Sequence, residues 1–257
     1  MAREYRLNTA SELGQQQMDC IQAIMDTPTT TFLEPVVKPG SRCLEIGAGG
    51  GSVAGWMAQQ AGPTGAVVAV DLDPDLIAEH PVVEILRHDI TDGVPGNEPY
   101  DVIHARWVLM HMSRREEVFK TLVDALAPGG WLVLGEVSSR PRGVESAPSQ
   151  ADRDLFERVQ SFHQHELAEQ SGTSSFEWAK QVDGRMEGAG LVNITGMEFS
   201  QTMTGGTEGC LLMHNYTMQT EPLLLDLGLP ADDVKRYREL MLDPRFRAWF
   251  FRTVYTR

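Results

Sequence analysis

The feature that most constrains this chain is a short apolar run closed first by an acid and then by glycines, Arg42-Cys43-Leu44-Glu45-Ile46-Gly47-Ala48-Gly49-Gly50-Gly51-Ser52. A run of this kind reads as a buried strand ending in a tight turn. Gly47, Gly49 and Gly51 carry no Cβ, so the backbone there can take positive φ and come close to a bound molecule. The residues from Val53 to Ala58 follow as the start of a helix, whose free N–H groups would point back at the same turn. The stretch therefore predicts a cradle for a cofactor.

From residue 41 onward apolar runs alternate with helical patterns. Strands are expected at Arg42–Ile46, 65–71, Val82–Leu86, Tyr100–Ala105 and Trp131–Leu134, and helices at Ser52–Gln60, Pro74–Glu79 and Ser113–Leu126. In the last helix Val118, Leu122, Val123 and Leu126 share one face, with Arg114, Arg115, Glu116, Glu117 and Lys120 on the other. Continuous apolar strands alternating with helices predict a mostly parallel sheet, covered on both faces and wound with right-handed crossovers. Ligands of such sheets lie at the carboxyl ends of the strands. At those ends stand the glycine turn, Asp71, Asp89, Ala105-Arg106 and Glu136.

Outside this core the pattern changes. Ala10 to Met25 reads as a helix stopped by Thr27-Pro28-Thr29, and a second short helix is expected through Phe32 and Val36-Val37. After residue 137 come a Ser/Pro/Arg-rich loop over 138–149, helices over Ala151–Glu169 and Phe176–Glu187, and a strand over Val192–Thr202. Residues 205–247 read as mostly helical and Ala248–Tyr255 as a closing strand. The organisation expected is a helical N-terminal segment, 1–40, and one domain, 41–257, with helical cap insertions at about 138–175 and 205–247.

With 36 acidic against 22 basic residues and a net charge of −14, no stretch supplies the excess of Lys and Arg that phosphate backbones demand. The expected partner is a small molecule, not a nucleic acid. Cys20, Cys43 and Cys210 are scattered and show no CxxC spacing, which argues against a disulfide framework or a metal cluster. The polar N-terminus and the lack of a long apolar run predict a cytoplasmic protein without a membrane span. A homodimer is left open.

A dinucleotide fingerprint counted from Gly47 needs a third glycine where Ser52 stands, and there is no phosphate-loop lysine. A nicotinamide-dependent reductase is disfavoured for that reason, while a tight turn without a ligand stays open. Asp71 ends the second strand 24 residues beyond Gly47, where a carboxylate can accept both hydroxyls of a ribose. Asp73 suits a helix N-cap. Asp89 could accept from an exocyclic amine or be a solvated turn acid.

The glycine pattern, Asp71, His88-Asp89-Ile90, Tyr100 to Arg106 with Leu109 and His111, and Leu126-Ala127-Pro128-Gly129-Gly130 together resemble a class I S-adenosylmethionine-dependent methyltransferase over residues 41–137. More narrowly, the chain resembles small-molecule methyltransferases of bacterial secondary metabolism, antibiotic biosynthesis included. The resemblance implies a Rossmann-like seven-stranded sheet with its last strand antiparallel. It also implies S-adenosyl-L-methionine as cofactor, with Gly47, Ala48, Gly49 and Gly51 at its methionine part and Glu45 beneath. Asp71 would hold the ribose, Leu72 would pack on the adenine, Asp89 and Ile90 would meet its amine and ring, and the Ala105 carbonyl would face the amino group.

A sulfonium donor already activates its methyl group, so a protein base is optional. His111, just past strand four, is one candidate; a packed histidine starting a helix is the other reading. Glu136 is the second candidate, against a surface acid. Arg106 binds substrate or pairs with an acid. His163 and His214 fall in the cap insertions and are candidates for the substrate pocket. His163 and His165 would lie on different faces of one helix and would not share a metal. A protein that binds the cofactor without transferring its methyl group, as a scaffold or through sulfonium-assisted rearrangement, is the alternative function.

Overall fold

Strands β1 (Arg42–Ile46), β2 (Ala66–Asp71), β3 (Val83–Arg87), β4 (Tyr100–Arg106) and β5 (Leu126–Val137) form where the apolar runs stand, in a computed structural model that describes residues 11–138, 143–163 and 176–257. They pair in the order β3-β2-β1-β4-β5, all parallel. The order reverses between β1 and β4, so the crevice that open α/β sheets use for ligands lies at the carboxyl ends of these two strands. Ile46 is in register with Val70 on one side and Ala105 on the other. The glycine turn after Ile46 thus starts level with the ends of both neighbours.

The chain divides into two compact units. The larger contains residues 25–138, 176–199 and 253–257. Helix α2 (Ser52–Ala61) buries Val53, Ala54, Met57, Ala58 and Ala61, while α3 (Arg115–Asp124) buries Val118, Phe119 and Leu122. Helix α5 (Trp178–Gly188) adds Trp178, Val182 and Met186 to a core shared with Leu44, Ile46, Ile103 and Leu134. These apolar faces, removed from water on both sides of the sheet, hold the strand ends in place. The last residues of β8 (Arg247–Thr256) close this unit antiparallel to β5, with Val137 opposite Thr253.

The smaller unit contains residues 1–24, 139–175 and 200–252, as far as these are described. Helix α4 (Gln150–Ser161) packs with α7 (Ala231–Leu242), and α6 (Glu208–Asp226) packs with α7 as well. Phe156 is the centre: its ring lies 5.0 Å from Phe246, 5.6 Å from Phe250 and 6.1 Å from Tyr237. Asp152–Arg236 and Asp233–Arg158, both at 2.8 Å, tie α4 to α7.

Several expectations are corrected. Among the described residues the sheet has eight strands, not seven: β6 (Val144–Ser146), inside the expected 138–149 loop, pairs Val144 with Ala248, and β7 (Gly196–Thr204) and β8 supply the other two. The expected break at Pro28 is absent, and one helix, α1 (Glu12–Leu33), runs through it. Pro28 lacks an N–H, but the hydroxyls of Thr29 and Thr30 bond the carbonyls of Met25 (2.6 Å) and Asp26 (2.9 Å), and Met25, Phe32 and Leu33 are buried. The helix expected over Pro74–Glu79 is a single 3₁₀ turn, Pro74–Leu76. Pro128-Gly129-Gly130 is not a turn ahead of β5 but part of it, where the register with β4 shifts; a Cβ on Gly130 would sit 2.8 Å from the carbonyl of Tyr100. Part of the helix expected over Ala151–Glu169, including His165, lies outside the described residues. Among the described residues no helix is long and apolar enough to cross a membrane.

Candidate active site

The turn after β1 takes the left-handed conformation three times, at Gly47 (φ 65°), Gly49 (φ 55°) and Gly51 (φ 78°). Gly51 caps α2 without help from a side chain. A Cβ at Gly47 would lie 2.5 Å from Cγ2 of Val108, and one at Gly51 2.6 Å from Cγ2 of Ile77. Both backbone angle and space therefore demand glycine. The N–H groups of Gly47 and Ala48 donate to the Val70 carbonyl at 2.9 and 3.1 Å.

Asp71, at the end of β2, completes the turn. Its Oδ2 accepts the Gly49 N–H and its Oδ1 the Asp73 N–H, each at 2.9 Å. A carboxylate has about four acceptor positions, so two are left for a ligand. Leu72 follows with 58% of its surface exposed, an apolar side chain facing solvent. Arg87 supports this corner by donating to the Leu72 carbonyl (2.7 Å) and pairing with Asp73 (3.1 Å) and Asp75 (2.8 Å). Asp73 makes no side-chain cap bond. Asp89 is exposed and uses Oδ1 to accept from the Thr91 N–H (2.9 Å) and hydroxyl (2.7 Å), capping the turn Ile90–Asp92. Ile90 itself is packed in the core.

Beneath the glycine turn Glu45 is buried, and its Oε2 pairs with Nδ1 of His104 at 2.6 Å. The two stand opposite each other in register on β1 and β4. Sequence reading placed Glu45 here but missed its partner, because His104 signals only through strand register. Ala105 is buried between Ile46 and Leu134.

The segment that leaves β4 carries the remaining candidates. Arg106 donates to Asp26 (2.9 Å) and to the Thr29 hydroxyl (3.0 Å) on α1, and Thr29 also bonds the Tyr255 hydroxyl (2.9 Å). Of the two readings of Arg106, the structure displays the pairing with an acid. Trp107 has φ 58°, a conformation that side chains disfavour. Its N–H donates to the Gly135 carbonyl (2.7 Å) and its indole to the Thr253 hydroxyl (3.1 Å). No sequence signal marked this residue.

His111 and Glu136 come together through the 3₁₀ turn Leu109–His111. Burial, aided by the nearby Arg115 charge, pushes the His111 ring down to about 4, which keeps it neutral near pH 7. Glu136 is fully buried on β5; its Oε1 accepts the Leu109 N–H at 3.0 Å, and the Met110 N–H bonds the same carboxyl group. Burial pushes this carboxyl up to about 8, against the pull of the two backbone bonds and Arg115. Glu136 is thus no surface acid. His163 and His214 belong to the smaller unit. His163 is buried with its ring edge-on to Tyr216 (5.1 Å) and Tyr237 (6.1 Å), and Nδ1 of His214 lies 3.2 Å from Oδ1 of Asn215.

Comparison with known families gives a match over residues 17–195, to the family described as a methyltransferase domain. The chain belongs to that methyltransferase family. The chain is 34% identical over 115 residues to methyltransferase str2 of Strobilurus tenacellus, a match covering 42% of this chain and 40% of that protein. It spans about two fifths of the length of the curated relatives it matches first. Among solved structures, the chain resembles Haemonchus contortus phosphoethanolamine N-methyltransferase 2 in complex with S-adenosyl-L-methionine, with a TM-score of 0.55, 14% identity and coverage of 97% of this chain and 57% of that one. A cyclopropane-fatty-acyl-phospholipid synthase-like protein from Lactobacillus casei gives a TM-score of 0.53 at 16% identity, covering 97% and 93%. At these identities the likeness is one of fold.

Proposed function

We propose that this methyltransferase moves a methyl group from S-adenosyl-L-methionine to an O, N or C atom of a small-molecule acceptor, a secondary metabolite. The observation that carries the reading is the left-handed glycine turn tied to Asp71, with the exposed Leu72 beside it. These residues fit the cofactor: a backbone freed of Cβ atoms, a carboxylate with acceptor positions to spare for a ribose, and an apolar side chain for the adenine face. In this assignment Gly47, Ala48, Gly49 and Gly51, above Glu45, hold the methionine part, Asp89 and Ile90 meet the adenine, and the Ala105 carbonyl takes the amino group. When bound, the cofactor supplies a methyl group activated by its sulfonium.

The chain's own work is to orient the acceptor, exclude water and, where the acceptor carries a proton, remove it. His111 suits that task, since burial keeps its ring neutral near pH 7. Acceptor recognition is assigned to the insertions, His163 and His214 among their residues. The N-terminal segment 1–40 is proposed as a lid, supported by the bonds that Asp26 and Thr29 of α1 make to Arg106 at the end of β4. Limited proteolysis with and without cofactor tests the lid; equal cleavage in both states sinks it.

The deciding experiment is incubation with methyl-labelled S-adenosylmethionine and a panel of small-molecule acceptors, beside a calorimetric titration with the cofactor alone. Label transfer to a panel member supports the reading. Absence of cofactor binding at sub-millimolar concentration overturns it.

A further inference from the structure

The turn that leads from β4 toward α3 is gripped along its backbone from two sides. On one side the Glu136 carboxyl receives the N–H groups of Leu109 and Met110. On the other, Arg115 donates from Nε to the Leu109 carbonyl (3.2 Å) and from its terminal nitrogen to the Met110 carbonyl (3.4 Å). We propose that Glu136 is a positioning residue for methyl transfer, whose carboxyl oxygen fixes the backbone that seats Val108 against Gly47 and presents His111.

Four observations carry this inference, which rests on the function proposed above. Glu136 is wholly buried, so neither oxygen is open to an acceptor molecule, and a buried acid in an apolar core is retained only where it satisfies polar groups that would otherwise stay unpaired. Leu109 and Met110 are themselves buried, leaving their N–H groups no water to turn to. The turn begins at Trp107, whose left-handed backbone persists only where its surroundings over-determine it. Val108 stands so close to Gly47 that a single added carbon would overlap it, so a shift of this turn is felt directly in the glycine cradle. Oε2 has no hydrogen-bond partner among the described residues, and with burial pushing the group up to about 8 it carries the proton near pH 7. An amide is therefore a close replacement for Glu136 as it stands, keeping the acceptor oxygen.

The test compares Glu136→Gln, Glu136→Leu and Glu136→Asp in the full chain, reading S-adenosylmethionine affinity by calorimetry and the His111 ring resonance by NMR. Glu136→Gln is expected to hold affinity within about 3-fold and leave the His111 resonance in place, whereas Leu or Asp, which lose or withdraw the acceptor, should weaken affinity by about 10-fold or more and move the resonance. If Glu136→Leu does not fold, Glu136→Asp serves in its place. A Gln variant that behaves like Leu overturns the inference, as does a folded Leu or Asp variant with both readings unchanged. Should the wild-type chain fail to bind the cofactor, the proposed function falls, while the His111 resonance still decides whether Glu136 sets this turn.

Discussion

The Gly49 N–H donates to Oδ2 of Asp71 at 2.9 Å, so the acid that ends β2 holds in place the glycine turn that ends β1. The same carboxylate takes the Asp73 N–H through Oδ1 and thereby shapes the corner that displays Leu72. One side chain organises both sides of the cradle. It does so with charge-assisted bonds, which are shorter and stronger than neutral ones.

Asp71→Ala should therefore weaken S-adenosylmethionine binding by about 1.5–3 kcal/mol, the worth of a hydrogen bond to a charged group. Calorimetric titration reads this directly. An affinity equal to wild type would falsify the ribose assignment.

Leu72 separates binding from stability. Because it is exposed, Leu72→Ser should leave unfolding free energy within about 0.5 kcal/mol of wild type, as surface changes do. Cofactor affinity should fall all the same. Equal losses in both would show that Leu72 is a packing residue instead.

At Gly47 two penalties add. Gly47→Ala forces a side chain into left-handed backbone, at about 1–2 kcal/mol, and drives its Cβ into Val108. Combining it with Val108→Ala should recover the second penalty but not the first, a non-additivity that a double-mutant cycle in denaturant unfolding measures. Strict additivity would mean that the two residues do not meet.

The His111 and Glu136 shifts pull stability in opposite directions with pH. His111 is lowered from 6.5 to about 4, so its contribution is present above 6.5 and is lost as pH falls toward 4. Glu136 is raised from 4.5 to about 8, so its contribution is present below 4.5 and is lost as pH rises to 8. Between 4.5 and 6.5 the two slopes offset each other. From 6.5 to 8 only the Glu136 slope acts, at up to about 1.4 kcal/mol per pH unit. Melting curves of Glu136→Gln should accordingly lack the alkaline fall expected of wild type, and a parallel fall in both proteins would disprove the assignment.

Arg106→Met removes the donor that meets Asp26 and Thr29 at a site only 11% exposed. The loss should reach about 1–3 kcal/mol, since Asp26 keeps a charge without its partner. Protease should then cut near α1 faster than in wild type. An unchanged melting temperature would argue that this pair is solvent-screened.

The parallel alternation and the glycine turn were legible in the sequence because both are local: continuous apolar runs announce buried strands, and glycines announce positive φ. Asp71 was legible as the acid that ends β2 for the same reason, since the apolar run before it marks the strand. The unbroken α1 was not, because Pro28 is outweighed by threonine hydroxyls and by burial that only packing supplies. Strand β6 is three residues long, too short for periodicity to register.

The sequence by itself determined the fold class and the left-handed glycine turn at the end of β1. Tertiary structure alone decided what the polar side chains near that turn do. His104 became the partner of Glu45, Arg106 that of Asp26, and Glu136 the acceptor for a backbone turn. The physical reason is that a hydrogen bond depends on atoms brought within about 3 Å. His104 and Glu45 are 59 residues apart, and Arg106 and Asp26 80 apart, separations across which no sequence pattern reaches.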